Sequence, residues 1–184
     1  MKNIFRKIIF VLLVAPVFVS AQKEPSGSSS FDSRIFTGGY FGLQFGTYTL
    51  VELSPIVGYK VTDKFTPGIS ITYIYEKFKD PYNYYPTYTT SIYGGSVFMR
   101  YYVIPTLFAH VECQVLNLDV PDYINGYYDS YHRANVTGIF IGGGYREPIG
   151  ERSSFNILLL YDINQDPFSP YQNPIIKVGL GIGI

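Results

Sequence analysis

The stretch FTPGISITYIYE, residues 65–76, decides how this chain folds. Phe65, Ile69, Ile71, Tyr73 and Tyr75 share one parity, and Thr66, Gly68, Ser70, Thr72 and Glu76 share the other. A period of two is that of a strand with two unlike faces. The same alternation runs through segments 34–46, 50–61, 65–78, 89–103, 107–118, 135–146, 154–164 and 173–184, with no helical segment between them. Eight such strands predict an all-β fold, a sheet closed on itself as an eight-stranded antiparallel up-and-down barrel.

Charge decides which face points where. One parity carries Ile35, Phe41 and Leu43, Val51, Leu53 and Val57, Val97 and Met99, Val111 and Val115, Ile139 and Ile141, Ile157 and Leu159, and Ile176, Val178 and Leu180, none of them charged. The other carries Glu52, Lys60, Glu76, Arg100, Glu112, Arg146, Asp162 and Lys177, four acids and four bases. A Lys or Arg facing lipid near the midplane costs roughly 2–4 kcal/mol, and several such costs exceed a typical folding free energy. The charged face is therefore expected to be the lumen of a transmembrane barrel. A soluble barrel of the lipocalin kind would show the reverse. Eight strands leave room for side chains and no wide pore, so the balanced charges predict a buried ion-pair network filling a wet, polar lumen. Gly142, Gly144, Gly179, Gly181 and Gly183 are expected to let the wall bend.

The ends of the strands fit the same reading. Outward Tyr59, Phe65, Tyr101, Tyr145 and Phe155 fall near one end and Phe45, Tyr73, Tyr75, Tyr93 and Tyr161 near the other, as two interfacial aromatic girdles require. Connections 62–64, 104–106 and 147–152 are short, while 79–88 and 119–134 are long and tyrosine-rich. Barrels of the outer membrane keep short turns in the periplasm and longer loops outside, and an even strand count returns both termini to the periplasm.

The N-terminus predicts export. Lys2, Arg6 and Lys7 precede an apolar run from Ile8 to Phe18 and a Val19-Ser20-Ala21 site, so residues 1–21 read as a signal peptide cleaved before Gln22. Residues 22–33, with Pro25 and a Ser/Gly run, read as a flexible lead, and 34–184 as the barrel domain. With 14 Lys and Arg against 14 Asp and Glu, nothing in the charge suggests nucleic-acid binding.

Short motifs carry a resemblance. Ser54-Pro55-Ile56-Val57-Gly58-Tyr59-Lys60-Val61-Thr62-Asp63-Lys64-Phe65, followed by Gly68, resembles the Pro-x-x-Gly-Tyr strand and Thr-Asp-Lys turn of small outer-membrane barrel proteins of the Bacteroidetes type. The Ala21-Gln22 junction and the last strand, Lys177-Val178-Gly179-Leu180-Gly181-Ile182-Gly183-Ile184, are similar to the same group. The resemblance implies a barrel similar to the OmpA transmembrane domain or OmpX, placed in the outer membrane of a Gram-negative bacterium by the assembly machinery. Its implied surroundings are outer-membrane lipid and lipopolysaccharide. Cell-wall tethering of the OmpA kind is not expected, because no further domain follows the last strand.

Catalysis is not expected. Tyr131-His132-Arg133-Ala134-Asn135 resembles the His-x-Ser-Asn segment of lipid A deacylase barrels, but Ala134 stands at the serine position, so His132 has no hydroxyl to deprotonate. His110 and Glu112 share the lumen face without a third metal ligand nearby, and Cys113 has no partner. No cofactor or metal is expected. That leaves the loops, where Tyr82, Tyr84, Tyr85, Tyr88, Tyr123, Tyr127, Tyr128 and Tyr131 offer flat apolar area with hydroxyls, suited to surface contact or to the headgroup zone. The functional expectation is a structural or surface-interaction barrel, with a narrow channel as the alternative and a lipid-modifying enzyme disfavoured.

Overall fold

The computed structural model describes residues 34–44, 48–78, 82, 87–124, 127–150 and 152–183. The expected signal peptide and lead lie outside them, as do Phe45, Tyr84 and Tyr85. The chain forms strands β1 (Ile35–Gln44), β2 (Tyr48–Tyr59), β3 (Phe65–Phe78), β4 (Tyr88–Ile104), β5 (Leu107–Ile124), β6 (Tyr127–Ile149), β7 (Ser153–Asp162) and β8 (Ile175–Gly183). Each pairs antiparallel with its sequence neighbour, and β1 closes on β8 from Phe36 opposite Gly183 to Phe41 opposite Val178. The result is a closed eight-stranded all-antiparallel barrel without a free sheet edge along the ring.

The short connections sit at one end, and local chemistry makes each. In the β2–β3 turn the Thr62 hydroxyl accepts from the Phe65 amide at 2.9 Å and the Lys64 amide at 3.3 Å, a Thr-centred turn built from the Thr-Asp-Lys motif. Gly150 takes a φ of +78° in the β6–β7 turn, a conformation that needs glycine.

The opposite end corrects the sequence reading. Residues 119–124 and 127–134 are strand, not loop: β5 and β6 continue pairing to Ile124 opposite Tyr127, past the point where β4 leaves β5 at Tyr93 opposite Asn117. The result is a two-stranded ribbon standing beyond the ring. Conversely, β7 ends at Asp162 and β8 begins at Ile175, so the segment between them is a connection longer than the sequence suggests.

Face assignment follows the parity argument. Outward side chains such as Ile71, 69% exposed, and Ile176, Leu180 and Leu159 cover the wall, whereas Glu52, Arg100, Glu112 and Lys177 are buried inside. The interior is not uniformly polar, however. Tyr40, Ile56, Phe98, Phe108, Phe140, Leu158 and Leu160 pack in one apolar cluster, and Ile74, Ile92, Leu116, Leu118, Val120 and Val136 in another nearer the ribbon.

Register explains how rings fit inside so narrow a barrel. Phe36 lies opposite Gly58, Phe98 opposite Gly68, Phe108 opposite Gly144 and Tyr40 opposite Gly179. A Cβ on Gly58, Gly68 or Gly144 would lie 2.1–2.3 Å from the ring facing it. These glycines make room for aromatic side chains folded over the neighbouring strand. That is a more specific role than the wall-bending expected of Gly144 and Gly179.

Candidate functional site

Three regions gather the chemically capable side chains: the polar middle of the lumen and the barrel's two mouths. In the middle, β8 presents Lys177 and β2 presents Glu52, whose Nζ and Oε1 are 2.7 Å apart with both side chains almost wholly buried. Glu52 Oε1 also accepts from Ser54 Oγ at 2.7 Å and from Tyr171 Oη at 3.3 Å. With its one proton on Glu52, Ser54 Oγ accepts from Thr72 Oγ1 at 3.1 Å, and Thr72 in turn accepts from Gln114 Nε2 at 3.0 Å. Tyr171 comes from the β7–β8 connection, reaching back into the lumen to set its ring edge-on to Phe140 at 5.5 Å and 4.8 Å from Lys177 Nζ. Sequence periodicity gave no sign of it, because it belongs to no strand; the cue it offered was an aromatic beside Pro170, a feature that Phe168 beside Pro167 shares.

Arg100 is held differently. No carboxylate among the described residues lies within ion-pair range of it. Its Nη2 donates to Tyr40 Oη at 2.9 Å and its Nε to His110 Nδ1 at 3.4 Å, while His110 Nε2 lies 3.1 Å from Glu112 Oε2. With Nδ1 accepting, the proton sits on Nε2, so a neutral imidazole relays between guanidinium and carboxylate. Phe36, Tyr40, Phe98 and Phe108 surround the guanidinium at 4.7–5.5 Å, the cation–π range.

The expected eight-member ion-pair network is therefore corrected. Glu52 and Lys177 pair directly, and Arg100 and Glu112 meet only through His110. Asp162 organises the β7–β8 connection instead: its carboxylate accepts from the Asn164 and Gln165 amides and from Ser169 Oγ, and Asn173 bridges its backbone. Lys60 and Arg146 sit half-buried at the short-turn mouth and Glu76 at the opposite one, without an ion-pair partner among the described residues.

The ribbon mouth is a cup of about 470 Å³ walled by Glu76, Tyr88, Asp119, Tyr131, Phe168 and Pro170, among others. Tyr88 and Tyr131 stack with centroids 4.7 Å apart. Asp119 accepts from Tyr88 Oη at 2.9 Å and Thr90 Oγ1 at 2.7 Å and pairs with Arg133 Nε at 3.1 Å. Arg133 in turn donates to the Ser91 carbonyl at 2.8 Å and lies over the Tyr93 ring, pinning the ribbon to β4. His132 pairs with Asp122 at 2.9 Å on the ribbon; it is a strand residue, not the loop residue expected. Of the expected contact tyrosines, Tyr82, Tyr88 and Tyr131 are described at this end, and Tyr123, Tyr127 and Tyr128 are placed on the ribbon by their backbone. Among the described residues no group of three or more His, Cys, Asp or Glu is placed to hold a metal. Cys113 faces outward, opposite Val97 and Ile139.

Burial and the Asp119 hydrogen bond push the Tyr88 hydroxyl up to about 12. Asp119 is shifted down: burial opposes ionisation, but Thr90, Tyr88 and Arg133 together outweigh it. A carboxylate with a depressed folded-state pKa contributes stability present above its unfolded value and lost as pH falls through the folded one. Protection of the amides in Leu118–Ile124, taken relative to their intrinsic rates, should accordingly be high at neutral pH and fall as the pH drops from the usual carboxylate range through the depressed one of Asp119, and Asp119→Asn should show the low protection at neutral pH. Equal protection in the variant would remove Asp119 as the pin.

No family model and no curated protein matches the sequence. Among solved structures, the crystal structure of the N-terminal β-barrel domain of Pseudomonas aeruginosa OprF aligns at a TM-score of 0.41 with 15% identity, over 83% of this chain and 97% of that domain.

Proposed function

We propose that this chain is an outer-membrane barrel with a sealed lumen, serving a structural or surface-interaction role through its ribbon end. The observation that carries the reading is the apolar outer wall between two aromatic rows. Phe65 stands opposite Tyr101, and eight residues further along Tyr73 stands opposite Tyr93. At ~3.3 Å per residue the two rows are about 26 Å apart along the strand, which a tilt of ~35–45° projects to about 20 Å along the barrel axis, on the scale of the ~25 Å apolar band of such barrels. A soluble protein leaves no comparable belt uncovered. The short-turn end would face the periplasm after removal of the signal peptide before Gln22, and the ribbon, the cup and its tyrosines would face outward among lipopolysaccharide and surface partners.

Two apolar clusters fill much of the lumen around the Glu52–Lys177 pair, with Tyr171 packed against both, and they oppose ion passage. The folded protein should resist carbonate extraction, run faster on gels before boiling than after, and show no stable nanosiemens-scale openings in planar bilayers. Removing the ribbon tip between Val120 and Tyr131 should preserve insertion while abolishing surface binding. Stable large openings would favour the channel alternative instead, and carbonate-soluble protein would overturn the membrane reading.

A further inference from the structure

The short-turn mouth holds cations without matching acids. A vestibule of about 290 Å³ between the β2–β3 and β4–β5 turns is lined by Lys60, Lys64, Thr66, Tyr102 and Arg146, with Asp63 as the one carboxylate. A recess of about 30 Å³ shares Lys60, Thr66, Tyr102 and Arg146 with it and ends on Arg100. Arg100 is 2% exposed, and its described hydrogen bonds go to a phenol and a neutral imidazole, so its charge is met by no adjacent anion. A buried cation facing a cavity raises the local affinity for a negative charge.

We propose that this mouth binds a phosphate-class oxyanion. Guanidinium, ammonium and hydroxyl donors approach the vestibule from strands β3, β4 and β6 and from the residue after β2, a spatial set that suits a tetrahedral acceptor better than a planar carboxylate. The recess has about the volume of one water, so a single oxygen or a bridging water reaches Arg100 while the body of the anion sits between Lys60 and Arg146. Nothing in this site depends on the ribbon end or on where the barrel resides.

The test uses the folded full chain in a nonionic detergent. Inorganic phosphate, followed by ³¹P line broadening at constant ionic strength against chloride, should bind saturably. Lys60→Gln/Arg146→Gln should weaken it at least tenfold without changing the gel shift of the folded barrel; Lys60→Gln alone serves if the double variant does not fold. In a second arm, protein extracted from vesicles of phosphatidic acid and phosphatidylcholine is weighed intact with its bound lipid. Selective retention of phosphatidic acid, lost in the variant, would support the proposal with a lipid headgroup as the source of the phosphate; binding of inorganic phosphate alone would support a free anion. Absence of both, or equal binding by the folded variant, would overturn it.

Discussion

Lys177→Met should destabilise the barrel by about 3–5 kcal/mol, the cost of leaving one member of a buried ion pair without its partner. Glu52 would remain in the lumen, 2% exposed, with Ser54 and Tyr171 as neutral donors and no cation adjacent. Making the acid neutral should recover most of the loss, so Lys177→Met/Glu52→Gln should be more stable than Lys177→Met alone. The pair is contributed by β2 and β8 and Tyr171 by the connection before β8, so the loss would weaken the region where the ring closes. Urea titration of protein in detergent micelles, read as the fraction with folded gel mobility, gives all four corners of the cycle. Strictly additive losses would mean that the two groups do not stabilise each other, whatever their separation.

The sequence reading placed the faces correctly because charge is counted in whole units: one misplaced Arg in lipid outweighs many ambiguous apolar positions. It also bounded β3 to the residue, since an apolar or aromatic side chain recurs at every second position from Phe65 to Tyr75 save Pro67, and the Thr62-Asp63-Lys64 turn precedes it. It failed where tertiary pairing overrides local preference. Asp119, Pro121, Asp122, Asn125 and Gly126 are residues that usually mark loops, yet Arg133 and the cross-strand ladder carry β5 and β6 through most of that run. The apolar clusters inside the lumen escaped for a related reason. Ile74, Phe98 and Phe140 share a parity with charges, and a pattern that sorts faces by charge says nothing of which inward residues pack together. Ring-over-glycine pairs such as Phe98 and Gly68 become visible only with register, which a single strand does not encode. Arg100 looked like half of an ion pair, whereas its partners are rings and a histidine brought from β1, β4 and β5.

Val97→Arg tests the membrane assignment at the point where the competing readings diverge most. Val97 is 60% exposed on the outer face of β4, four residues from Tyr93 and four from Tyr101, and therefore midway between the aromatic rows. If lipid surrounds that level, the substitution should cost roughly 2–4 kcal/mol, while Thr89→Arg on the same face beyond Tyr93 should cost about 0–1 kcal/mol. Val97→Leu should be nearly silent, because lipid accepts either side chain. If water surrounds the wall instead, Val97 is an ordinary exposed position and both arginine variants should fall within about 0.5 kcal/mol of the parent. Unfolding measured in vesicles separates the two cases by the depth profile rather than by any single value. A flat profile across Thr89 and Val97 would mean that the apolar wall is covered by something other than a bilayer.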